Sequence, residues 1–73
     1  MSADTGDLTL IRAAARDELA MTSSGYEWGS QPVDTDTEAA ITILLKDGQL
    51  VEANPGMDYT PLVPTDKGWK ALA

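Results

Sequence analysis

Cysteine and histidine are both absent from this 73-residue chain. Without cysteine no disulfide can staple the fold. Without either residue a structural zinc site of the usual kind is excluded. A base or nucleophile would have to be a carboxylate, Lys, Tyr, Ser or Thr. Phenylalanine is missing too, and Leu, Ile and Val together number 14. A chain of this size buries only roughly 60% of its unfolded surface. So thin a core favours support from a dimer contact or a bound partner.

Positive charge is equally scarce. Five Lys and Arg stand against twelve Asp and Glu, a formal net charge of -7, and both halves of the chain are acidic. A free-standing DNA binder presents a basic face, because phosphate neutralisation supplies most of its non-specific affinity. No apolar run approaches the roughly 20 residues needed to span a bilayer. The opening MSADTGD has neither a basic start nor an apolar stretch behind it, so no targeting signal is read and a cytoplasmic location is expected.

What is present is a periodic pattern over a single domain, residues 1–73, with 1–6 read as a frayed lead-in. Asp7 is placed to cap a helix from Leu8 to about Met21. Leu8, Ile11, Ala15 and Leu19 would form its buried stripe, widened by Leu10, Ala14 and Met21. Thr22 to Asp34 (TSSGYEWGSQPVD) is polar, carries Gly25, Gly29 and Pro32, and reads as a loop that is long for a compact domain. Tyr26 and Trp28 lie in it. Either both rings fold back onto the core, or they form an aromatic contact surface of the kind favoured at binding hot spots.

Thr35 with Glu38 fits a capping box, opening a helix to about Lys46 that stops at Gly48. Ile41, Leu44 and Leu45 cluster on one side of it. Ile43 points the opposite way, near Ala39, at about 100° per residue. The helix is either sandwiched within the domain or offers Ile43 as an interface. Gln49 to Ala53 then alternates as a strand, Asn54-Pro55-Gly56 is a turn, and the return strand is about Tyr59 to Val63. Pro61 lacks a backbone donor, which predicts an edge position. Thr65 caps a final short helix with Trp69 and Leu72 facing inward. A buried Trp69 would make Trp69→Ala cost about 3–5 kcal/mol.

Few groupings suggest chemistry. Asp34, Asp36 and Glu38 alternate, but the segment lacks the Gly and the distal Glu of a calcium loop and reads as helix capping. Gly25 and Gly29 match no phosphate-binding motif. No catalytic, cofactor or metal site and no small-molecule substrate is expected.

From Gly48 onward, Leu50, Val51 and Glu52, then Leu62, Thr65, Gly68, Ala71 and Leu72, follow a specific order. Winged helix-turn-helix regulators of the MarR and PadR kind end a helix at Gly, continue with a G-L-V-E strand, turn, and run into L-T-x-x-G-x-x-A-L. The present segment resembles them over about half the chain, residues 35–72, with Gln49 inserted between Gly and Leu. The resemblance implies an α+β, winged-helix-like domain of order α-(loop or short α)-α-β-β-α, and DNA contacts from Thr37, Thr42 and Lys46. The residues themselves argue against DNA. Asp36 and Glu38 occupy the end of the helix that would meet base edges and phosphates, and the wing tip, Asn54 to Asp58, holds no Lys or Arg.

We therefore expect a small acidic interaction module, binding protein or self-associating, with Ile43, Ala39, Tyr26, Trp28 and Met57 as contacts. A DNA-binding regulator is the first alternative, and an acidic DNA mimic or inhibitor from a mobile element the second. No membrane partner and no enzymatic activity are expected.

Overall fold

The computed structural model describes residues 2–72, with side chains from Leu8 onward. The elements run α1 (Ser2–Ala15), β1 (Leu19–Thr22), β2 (Gly25–Trp28), β3 (Gln31–Pro32), α2 (Thr35–Lys46), β4 (Leu50–Glu52), β5 (Tyr59–Pro64) and α3 (Asp66–Leu72). The five strands form one antiparallel sheet in the order β3-β2-β1-β5-β4. The result is a small α+β domain with three helices. No described helix is long and apolar enough to cross a membrane.

The second half follows the sequence closely. Helix α2 covers the expected span, and its cap is Asp34, whose carboxylate accepts from the Thr37 backbone N–H at 2.8 Å. Thr35 is thus the first helical residue and not the cap. Gly48 stops the helix at φ +80°. There the Gln49 N–H reaches the Leu44 carbonyl and the Gly48 N–H the Leu45 carbonyl, the paired bonds of a Schellman stop. Thr65 caps α3 as expected, its hydroxyl accepting from the Gly68 N–H at 3.2 Å.

The first half departs from the expected order. Helix α1 begins at Ser2, ahead of Leu8, so Asp7 lies within its backbone and does not cap it. It ends at Ala15. Asp17 takes φ 64°, the Glu18 N–H bonds to the Ala13 carbonyl, and the Asp17 N–H bonds to the Ala14 carbonyl. This is the same Schellman arrangement with Asp in the left-handed position usually held by Gly. Leu19 and Met21 therefore lie on a strand.

The expected loop at 22–34 is a β-meander. Two-residue turns join its strands, pairing Thr22 with Gly25 and Trp28 with Gln31. At the second turn both Gly29 (φ 61°) and Ser30 (φ 69°) are left-handed, the type I′ geometry whose twist matches a hairpin. The order is thus α-β-β-β-α-β-β-α, and strands occupy the place of a short second helix.

Strand β5 is also not an edge. It lies between β1 and β4, and its proline fits for a geometric reason. A strand residue's N and O point to the same side. The Pro61 carbonyl accepts from the Ala53 N–H, just past the end of β4. The missing donor therefore faces the end of the β4 ladder and leaves the pairing with β1 intact.

Leu10, Ile11, Ala13 and Ala14 of α1 meet Leu19, Ile41, Leu44, Leu50 and Leu62 in one buried cluster. Leu8 and Ala15 are only half-buried. Thr60 is the buried polar side chain of this region. Its hydroxyl accepts from the Asn54 N–H at 2.8 Å, holding the base of the β4–β5 turn.

Helix α3 docks through glycine. Trp69 is 52% exposed, against the expectation of an inward ring, while Leu72 packs on the core as expected. Gly68 is buried, and a Cβ there would be driven into the Gln49 carbonyl oxygen and against Pro64. In an open helix Gly→Ala gains up to about 1 kcal/mol. Gly68→Ala should reverse that sign and destabilise by about 1–3 kcal/mol, as overpacking does. Urea unfolding of the two proteins measures it, and an equally or more stable variant would show that α3 is not closely docked.

Candidate functional site

The expected contact residues fall on three elements. Tyr26 and Trp28 alternate along β2, so they share the sheet face that packs on the core. Both are half-buried, and the Trp28 indole N–H donates to the Glu18 carboxylate at 3.2 Å. They serve the core, the first of the two readings their sequence left open.

Ile43 and Ala39, one turn apart on α2, are different. Ile41 and Leu44 are fully buried on the core side, whereas Ile43 is 60% exposed and Ala39 is exposed as well. The sandwiched alternative for α2 does not hold among the described residues. Met57 stands exposed in the β4–β5 turn. Sequence reasoning missed a further exposed group: Val51, Tyr59 and Trp69. Alternation along β4 and β5 with Leu50 and Leu62 inward was the available signal for Val51 and Tyr59.

The residues expected at DNA lie on the same helix but not on one side of it: Thr42 and Lys46 are a turn apart, while Thr37 is half a turn round from Lys46. Thr37 is half-buried in the first turn, where its backbone N–H is held by Asp34. The Thr42 hydroxyl donates to the Glu38 carbonyl at 2.9 Å, a bond within the helix. Lys46 is exposed in the last turn. Asp36 and Glu38 are exposed in the first turn, where acids favour the positive helix end. That local stability comes with a negative face at the position a DNA reader would turn toward phosphate.

A second charged group ties α2 to α3. The Lys67 ammonium donates to the Asp47 carbonyl at 2.9 Å and pairs with its carboxylate at 3.5 Å. The Gln49 amide also donates to the Asp47 carboxylate, and the Thr65 hydroxyl donates to the Gly48 carbonyl. Both partners of the ion pair are well exposed, so it contributes little by itself. Among the described residues, no three Asp or Glu gather as metal ligands would.

Two carboxyls have altered acidity. The bond from Thr37 lowers Asp34 below its ordinary 3.8. The Gln49 bond first, and then the Lys67 charge, lower Asp47 below the same value. A depressed folded pKa contributes stability above the unfolded pKa and loses it as pH falls through the folded one. Stability should therefore decline on acidification from about pH 4. In the double variant Asp34→Asn, Asp47→Asn that decline should flatten, since Asn at the cap still accepts a bond without titrating. Chemical denaturation at stepped pH tests this, and an unchanged pH profile in the variant would refute it.

No family model, curated protein or solved structure matches the chain.

Proposed function

We propose that this chain is a small acidic, winged-helix-like interaction module that binds protein. Ile43 carries the reading. An isoleucine exposed on the far side of a helix whose other face is sealed adds nothing to the fold. Buried against a partner, such a side chain is worth about 1.5–3 kcal/mol. Ala39 on the same face leaves room for close approach, and Lys46 lies three residues beyond Ile43. The absence of His and Cys supports a binding role over catalysis. The run α2, Gly48 stop, β4–β5 hairpin and α3 supports the winged-helix-like description of the second half.

The rival reading is a DNA-binding regulator, favoured by that same order of helix, wing and helix. It requires α2 to meet DNA with Asp34, Asp36 and Glu38 at its leading end. It also requires a wing whose turn residues, Asn54 to Asp58, include an acid and no base. Carboxylates accept from cytosine in favourable settings, but phosphate repels them at every sequence.

Two measurements separate the readings. On sedimentation the wild type should self-associate through the Ile43 face, and Ile43→Asp should abolish that association. Its stability should stay within about 0.5 kcal/mol, as surface changes usually do. An Ile43→Asp protein that associates like the wild type would remove Ile43 as the contact. In a mobility-shift assay with duplex DNA at low salt, the wild type should show no complex. A complex that weakens with salt and with Lys46→Glu would establish the DNA reading instead.

A further inference from the structure

We infer that the outer face of the sheet is a separate contact surface for a segment of another protein in which Lys or Arg flanks apolar residues. The inference rests on the protein-binding reading and supplies the partner's chemistry.

The register defines the face. Ala20 pairs with Pro61, Thr22 with Tyr59, and Val51 with Val63. Side chains alternate along a strand, so Ala20, Val51, Tyr59, Pro61 and Val63 lie opposite Leu19, Leu50, Thr60 and Leu62. They form an apolar stripe across β1, β5 and β4. Burial agrees with the register. Ala20, on the central strand β1, is 5% exposed and lies outside the core cluster. Val51 and Tyr59 are 44% and 59% exposed. The helices pack their buried apolar residues with Leu19, Leu50 and Leu62 on the other side of the sheet.

Charge selects the occupant. The five strands contain no Lys or Arg, and their charged residues are Glu27 and Glu52. Glu27 pairs with Ala20 and so shares the outer face. All five bases lie on the helices or, for Arg16, just beyond α1. One of them, Lys67, is held by Asp47. A second copy stacked on this face would set acid against acid with no base to answer it. Nucleic acid would meet the same repulsion. A segment with apolar residues to cover Val51, Pro61 and Val63, and a base to meet Glu27, satisfies both halves of the surface, and such complementarity also steers encounter.

The test selects binders from a library of random peptides on the immobilised full chain. It then measures the selected peptides against wild type, a Val51→Lys, Tyr59→Lys variant and Ile43→Asp. Circular dichroism and urea unfolding check each fold. The selected peptides should be rich in Lys and Arg beside apolar residues. Their affinity should fall with salt, drop about tenfold or more in the Val51→Lys, Tyr59→Lys protein, and survive in Ile43→Asp. Selection without basic enrichment, or equal binding to the lysine variant, overturns the inference. Loss in Ile43→Asp alone would leave the protein-binding reading standing and remove the sheet face from it. A library that yields no binder to any of these proteins counts against both.

Discussion

The pairing of β1 with β5 is the constraint on which the molecule depends. The other strand pairs are hairpins closed by local turns. This one joins Ala20 to Pro61, Met21 to Thr60 and Thr22 to Tyr59, positions about forty residues apart. It makes one sheet from the meander of the first half and the β4–β5 hairpin of the second. Such a contact repays its loop-closure entropy only when both halves have formed. With so few large apolar residues, neither half could seal a core alone. Leu19 from one side and Leu50 and Leu62 from the other complete the surface that α1 and α2 cover.

That single ladder also explains the two faces of the protein. The inward positions of β1, β4 and β5 supply the core, and the outward positions supply the apolar stripe at Val51, Tyr59, Pro61 and Val63. Helix α2 repeats the division on a smaller scale, with Ile41 and Leu44 inside and Ile43 outside. The acids sit where they stabilise local structure, as at the start of α2, or where they border an apolar surface, as at Glu27.

The legible parts of the chain were those governed by neighbours in sequence. The extent of α2, the stop at Gly48, the Leu50 strand and the Thr65 cap each follow from residues within a turn of one another. Ile43 was legible for the same reason, since helical rotation alone separates it from Ile41. The first half was less so. Asp17 ends α1 in a conformation that glycine more often supplies, so no glycine marked the stop. Leu19 and Met21 continue the helical spacing of Ile11 and Ala15 and gave no sign of a strand. The Gly29-Ser30 turn between Trp28 and Gln31 was a real hairpin signal within a segment that otherwise read as a polar loop.

Sequence alone therefore determined composition, charge, the periodic faces of α2 and β4, the Gly48 stop, the Asn54-Pro55-Gly56 turn and the Thr65 cap, because each depends on a few adjacent side chains. Tertiary structure decided the rest. It made β5 a central strand despite Pro61, because the missing donor falls where β4 has already ended. It docked α3 through Gly68 and left Trp69 half in water, because the Gln49 carbonyl comes too close for any side chain. It turned residues 19–32 into a meander, because β5 offers β1 a partner that local propensity cannot reveal.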